Sequence, residues 1–337
     1  MFNVKPDLVC RLMIALATHS TRGLTPSIGL HVARGHVVVG ASRWSENFPE
    51  TNHTEELVLA RQAFDSLANR GRTWRRLGHV VDLAIGSNPV DNLSKPLRTA
   101  ADIGCDHGLL AVALILSGTR FDKVIGVDSS RCALEDGAIR MQEKVLDYVE
   151  ENWSSKEKEY TTAILGHNLE FRLGQGLSVL NPGEGDMVCI AGMGCNTILK
   201  ILGRASDDGI LDLDRIDCRK IVVQPTNSRP RNLMKLYGML EANGWRLSDE
   251  KIEKLSSRWY VTSAFVKLDP VEAHRANSFQ DGFVGSKLSQ MDSRNSMKRT
   301  FDEYVEHHVA WIQSDARKSD GIARSDDETW LQHFTRK

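Results

Sequence analysis

Apolar and polar positions change rhythm near residue 99. Before it, Leu57, Leu59, Ala60, Ala63, Phe64 and Leu67 recur at helical spacing. Leu77, Val80, Val81, Leu83 and Ala84 then predict a second short helix, ended by Gly86. After residue 99, short apolar runs alternate with helical stretches. Strands are predicted over 100–104, 124–128, 169–173, 186–191 and 220–224. Helices are predicted over 109–116, 129–150, 197–202 and 231–242, with Ser129 or Ser130 able to cap the second. Residues 151–160 are polar and charged and read as an exposed insertion. Two late strands, 245–255 and 259–266, read as a hairpin, with Trp245 and Trp259 packing in or beside it. Leu288, Met291, Phe301, Val305, Val309 and Ile312 then recur at three-to-four spacing, which predicts an appended helical segment.

Five βα units and a terminal hairpin predict an open, doubly wound α/β sheet that is mostly parallel. Continuous apolar runs such as Asp186-Met-Val-Cys-Ile-Ala belong in a sheet covered on both faces. The expected organisation is a leader over 1–45, a helical lead-in over 46–98, a sheet domain over 99–270 and a helical extension over 271–337.

Composition adds little to this frame, but charge placement adds more. The chain has 337 residues, 41% hydrophobic and 26% charged, with a formal net charge of −1. No apolar stretch reaches the roughly 20 residues of a membrane span. The six cysteines (Cys10, Cys105, Cys132, Cys189, Cys195 and Cys218) have no Cys-x-x-Cys spacing, so neither a zinc site nor a disulfide framework is expected. Residues 1–45 carry five basic residues and one acid, an organelle-leader pattern with the mitochondrial matrix ahead of plastid or cytoplasm. Residues 219–258 carry nine basic residues against four acids, a cluster that could meet phosphates.

The chemistry concentrates at predicted strand ends. Ala101-Asp-Ile-Gly-Cys-Asp-His-Gly108 is a strand, a turn and a helix start. Such a turn points free N–H groups at the carboxyl edge of the sheet, where ligands of these sheets bind. It lacks Gly-x-Gly-x-x-Gly, and its acids would repel a pyrophosphate but suit a ligand with sulfonium and ammonium charges. That favours S-adenosylmethionine over a nicotinamide dinucleotide. Asp128, ending the second strand, suits a ribose diol, or else caps the following helix. In Gly174-Gln-Gly176 the Gln175 amide can meet an adenine edge, although such turns are common. Ala191-Gly-Met-Gly194 offers a narrow, little-charged turn against which a flat base can slide.

Ala-Asp-Ile-Gly-x-Asp-His, Ala-Gly-Met-Gly, Gln-Pro before Arg-x-x-Leu, and Gly-Trp stand here in order. This set resembles the bacterial tRNA (adenine(22)-N(1))-methyltransferase family, over roughly residues 74–318. The resemblance implies a class I methyltransferase fold with a seven-stranded sheet, S-adenosylmethionine as cofactor, and tRNA as partner. On it, family cofactor residues fall on Asp102, Gly104, Asp106, His107, Asp128 and Gly176, and with the turns read above the expected cofactor set is Asp102, Ile103, Gly104, Cys105, Asp128, Ser129, Gln175, Gly176, Ala191 and Gly192. The expected catalytic residues are Asp106, His107 and Met193. Substrate contacts are expected from Gly194, Gln224, Pro225, Arg229, Arg231, Lys235, Arg75 and Arg76, and no metal is expected. The chain departs from the family pattern at Gln175 (usually Asp), Cys195 (usually Gly) and Thr226, which separates Gln224-Pro225 from Asn227. The rival readings are a small-molecule or protein methyltransferase, a nicotinamide oxidoreductase, and a non-catalytic RNA-binding relative.

Overall fold

A computed structural model describes residues 29–33, 36–40, 72–86, 96–117, 121–152, 154–203, 211–268, 284–318, 330 and 332. The expected helix over the 57–67 stretch and most of the leader lie outside these residues. Within residues 1–45, β1 (Gly29–Ala33) and β2 (His36–Gly40) pair as an antiparallel hairpin. This hairpin falls in a separate unit, Met1–Phe48.

The second unit begins with α1 (Arg72–Ile85). The helix starts ahead of the apolar stretch from Leu77 that predicts it, so Arg72, Arg75 and Arg76 lie on it. Next come β3 (Thr99–Ile103), α2 (Leu109–Leu116) and β4 (Lys123–Asp128). A π-helical turn, Ala133–Ala138, then leads into α3 (Ile139–Asn152). The expected exposed insertion runs into α4 (Ser155–His167), where Ser155 and Glu159 are exposed and Thr161 and Leu165 are buried. The order continues with β5 (Leu169–Leu173), β6 (Met187–Ala191), α5 (Cys195–Ile201) and α6 (Asp212–Arg215). Then follow β7 (Lys220–Gln224), α7 (Pro230–Ala242), β8 (Trp245–Leu255) and β9 (Arg258–Lys267). Finally α8 (Ser286–Ser289) and the long α9 (Ser296–Lys318) form the helical extension.

The sheet order is β5-β4-β3-β6-β7-β9-β8, parallel except for β9 and β8. Alternation along each strand divides its side chains between two cores. Ala100, Val124, Met187, Cys189, Val222 and Ala264 face the α1–α4 side. Ala101, Ile125, Val188, Val223 and Phe265 face α5, α7 and α9. Helix α2 is apolar all round because it lies wholly inside the first core, with Leu110 through Leu116 buried. Each such large side chain contributes roughly 1.5–3 kcal/mol on burial.

After β5 the chain crosses back over β4 and β3 and places β6 beside β3, so the strand order reverses between β3 and β6. This is the switch point, where the loops after adjacent strands diverge and leave a crevice at the carboxyl edge.

Candidate active site

The turn after β3 forms one wall of that crevice. Gly104 adopts φ +74°, and its N–H and that of Cys105 bond to the Val127 carbonyl at 2.7 and 3.0 Å. This keeps the turn against β4. Asp106 is left-handed at φ 48°, a conformation short polar residues tolerate better than branched ones. Its N–H donates to Asp128 Oδ2 at 3.0 Å, while Asp128 Oδ1 accepts from Ser130 N at 2.8 Å. One carboxylate thus joins two turns. Ser130, not Ser129, caps the next helix, through Ala133 N–H to its Oγ at 3.2 Å. Asp106 and His107 both stand exposed, with His107 Nε2 3.7 Å from Asp106 Oδ2.

Asp102 lies deeper, fully buried at the end of β3. It accepts the Ala111 backbone N–H in the first turn of α2, yet its Oδ2 has no partner. Burial, reinforced by the charge of Asp128, pushes its pKa up to about 7. Ile103 and Cys105 turn their side chains into the cores, so only their backbones face the crevice. After β5, Gln175 is exposed and Gly176 is half-buried against Ile201 of α5.

The turn after β6 forms the opposite wall. Gly192 is exposed at φ +80°, with Ala191 and Gly194 half-buried on either side. Gly192 N–H bonds to the Gln224 carbonyl at 3.0 Å, and the Met193 carbonyl accepts from Thr226 N–H at 2.8 Å. The turn is therefore clipped to the loop after β7. The Met193 side chain crosses the crevice and rests on Gly104, where any Cβ would collide with it. Cys195 starts α5 with its thiol buried near the Asn227 carbonyl at 3.6 Å. Burial pushes that thiol up to about 12, so it packs and does not react.

Several expected substrate contacts are corrected. Gln224 is buried, and its amide is spent on protein. It accepts from Arg76 Nη1 at 2.8 Å and donates to the Arg76 carbonyl and to Thr262 Oγ1, at 2.8 and 2.5 Å. Pro225 is buried as well, at the start of the clipped loop. Arg75 faces away, paired with Glu253 at 2.6 Å. Arg76 does reach the crevice, its guanidinium over Gly192 and 5.7 Å from the Tyr260 ring. Arg229 is exposed and lies over Trp311 of α9 at 5.0 Å. Arg231 is half-buried and Lys235 exposed on α7, neither with an acidic partner among the described residues.

The basic excess of 219–258 is weaker than its count. Arg219, Lys251 and Lys254 are paired with Asp186, Asp82 and Glu303. The sequence reading missed Tyr260 and Tyr304. Tyr260 projects past the carboxyl edge because β9 pairs with β7 only up to Val223 and Ser263. Tyr304 of α9 donates to the Ser228 carbonyl at 2.6 Å, tying the extension to the loop after β7. Aromatic residues in Trp259-Tyr260 and in the α9 repeat were the available signals. Among the described residues, no group of His, Cys, Asp and Glu is placed to hold a metal, and no helix is long and apolar enough to cross a membrane.

The arrangement fits a ligand that is cationic at one end and carries a ribose. Acids at 102, 106 and 128 surround the first turn, and the buried Asp102 oxygen lacks a donor. This fold, with acids where a dinucleotide enzyme has glycines, defines a class I S-adenosylmethionine-dependent methyltransferase. A model of the tRNA (adenine(22)-N(1))-methyltransferase family matches residues 100–320, and the chain belongs to that family. It is an S-adenosylmethionine-dependent tRNA methyltransferase acting at adenine N1.

Among solved structures, the B. subtilis M1A22 tRNA methyltransferase TrmK is 20% identical, with 76% of this chain and 92% of that chain covered at a TM-score of 0.45. M. capricolum TrmK, solved with S-adenosyl-homocysteine, is 18% identical, with 72% and 89% covered at 0.42. No curated protein matches the chain.

Proposed function

We propose that the adenine is accepted against the Ala191–Gly194 turn and that its position in tRNA is equivalent to 22. The observation that carries the site assignment is the crevice itself. It has an acid-lined turn on one side and, on the other, a turn without charged side chains that is clipped to the loop after β7.

Asp102, Gly104, Asp128, Gln175 and Gly176 would hold the cofactor, which supplies an electrophilic methyl group when bound. Adenine N1 has an in-plane lone pair, so the attack needs no prior deprotonation and the product is cationic. The chain then has to orient the base and to stabilise positive charge. Asp106 is placed to stabilise that charge, because its left-handed backbone turns the carboxylate outward and Asp128 fixes its N–H. His107 stands beside it and shares its exposure. Met193 and the glycines flanking it offer an apolar, flat surface. N1 lies on the pairing edge, so the target must be unpaired or flipped. Arg229, Arg231 and Lys235 supply positive charge for the surrounding phosphates.

The test is methyl transfer from labelled S-adenosylmethionine to unmodified tRNA, followed by nucleoside analysis. The expected product is 1-methyladenosine, and label in any other nucleoside refutes the reading. Asp106→Asn is expected to slow transfer about tenfold or more with cofactor affinity unchanged. Unchanged turnover removes Asp106 from the mechanism.

A further inference from the structure

The loop after β7 is bonded to both the β6 turn and the helical extension. Thr226 N–H donates to the Met193 carbonyl at 2.8 Å, which clips the loop to that turn. Two residues on, the Ser228 carbonyl accepts from the Tyr304 hydroxyl of α9 at 2.6 Å. The stretch between has little freedom. Ser228 is buried; its Oγ accepts from Val261 N–H at 2.9 Å and donates to the Pro225 carbonyl at 3.3 Å. Arg229 N–H donates to Asn227 Oδ1 at 3.3 Å, so the peptide joining Ser228 to Arg229 is held at both of its polar atoms.

The extension has other fastenings to the sheet. Buried Glu250 of β8 accepts from Gly285 N–H at 2.9 Å and from Lys287 N–H at 3.1 Å, at the start of α8. Val284, Leu288, Phe301 and Ile312 are buried in the core on the same side. What Tyr304 adds is direction. Its fully buried ring meets Trp259 at 5.6 Å, His308 at 4.5 Å and Trp330 at 6.0 Å edge-on, and stacks on Phe301 at 6.0 Å. A ring packed on four sides cannot change rotamer without opening the core, so the hydroxyl has a single aim. Trp330 is itself fully buried, and it lies beyond the stretch that the family model matches. Trp311 follows Tyr304 by two helical turns on the same face of α9, and the Arg229 guanidinium lies over its ring at 5.0 Å. Helix α9 thus grips the loop twice, by backbone at Ser228 and by side chain at Arg229.

The geometry points to Tyr304 as a positioning residue for methyl transfer, locked in place by Trp330. Through the Ser228 carbonyl it sets the loop that braces Met193, and so the wall that receives the adenine. This rests on the adenine lying against the Ala191–Gly194 turn. Tyr304 acts only through the loop, because its ring and hydroxyl are buried away from the crevice. A bond that serves stability alone changes the folded fraction, whereas one that positions the base changes the rate of the folded enzyme.

Tyr304→Phe removes the hydroxyl and leaves the ring among its four neighbours. In methyl transfer to tRNA it is expected to lose about fivefold or more in kcat, with S-adenosylhomocysteine affinity unchanged by calorimetry on the full chain. Trp330→Ala should lower kcat in the same direction, and Trp330→Phe should keep most of it. The double variant Tyr304→Phe, Trp330→Ala should lose no more than the larger single loss, because both changes act through one hydrogen bond.

A wild-type kcat in Tyr304→Phe, even with a lowered melting temperature, overturns the proposal. Losses that multiply in the double variant overturn the part given to Trp330. A wild type that forms no 1-methyladenosine overturns the adenine reading and the tether with it, whereas a wild type that forms it no faster than Tyr304→Phe overturns the tether alone.

Discussion

The turns after β3 and after β6 face each other across the switch point and are built in opposite ways. The first carries its own charge: Asp102, Asp106 and Asp128 lie at or beside it, and a single carboxylate fixes its shape. The second carries no charged side chain between Ala191 and Gly194. Its shape comes from the neighbouring strand, and its charge from Arg76, held by a residue 148 positions away. A local motif can therefore gather three acids at one wall of the crevice. The opposite wall depends on long-range packing of α1, β7 and β9.

If the first turn rests on one carboxylate, removing it should do the most damage. Asp128→Ala deletes the acceptor for both Asp106 N–H and Ser130 N–H, as well as the group proposed for the ribose. Hydrogen bonds to a charged group are worth about 1.5–3 kcal/mol each, so an affinity loss for S-adenosylhomocysteine of about 100-fold is expected by calorimetry. A loss below about tenfold would mean that the turn holds its shape through Val127 alone.

The two glycines sharpen the contrast. Both have positive φ, so alanine strains either backbone by about 1–3 kcal/mol. At Gly104 the new methyl would also collide with Met193, which bridges the two walls. At Gly192 it would meet only the far end of Arg76, at 3.4 Å. Gly104→Ala should therefore lower the melting temperature more than Gly192→Ala and weaken cofactor binding as well. Equal effects would show that Met193 yields freely and is no part of the crevice wall.

Much of the first wall was legible in the sequence, because its chemistry and its turn residues are the same few letters. Leu109–Leu116, Leu169–Leu173, Lys220–Gln224 and Trp245–Leu255 have the ends that periodicity predicts. The polar stretch near 151–160 misled: its surface charge hid α4, whose buried residues Thr161 and Leu165 lie beyond the stretch. Gln224 misled for a different reason. A Gln before Pro at a strand end looks like a ligand contact, and only the pairing of β7 with β9 and α1 shows its amide saturated. Arg75 and Arg76 are adjacent letters with opposite fates, because successive positions on a helix point about 100° apart. One meets Glu253 at the surface and the other enters the crevice.

The smallest expected effect concerns pH and Asp102, which faces Arg76 and Asp128. Its pKa is raised from 3.8 to about 7, chiefly by burial, so the folded protein binds this proton more tightly than the unfolded chain does. Its contribution to stability must then fall as pH rises from about 4 to about 7 and stay at its least favourable above that. Asp102→Asn removes the titration and keeps an acceptor for the Ala111 N–H. The variant should therefore gain on the wild type between about pH 5 and pH 8, by on the order of 1 kcal/mol, in urea melts at each pH. Ligand binding should run the other way, because an ammonium partner favours the ionised carboxylate. Wild-type affinity for S-adenosylhomocysteine should rise through about pH 7, while the variant binds weakly and without that rise. A flat wild-type profile in both measurements would mean that Asp102 stays ionised in the free protein. The negative wall would then be charged before any ligand arrives.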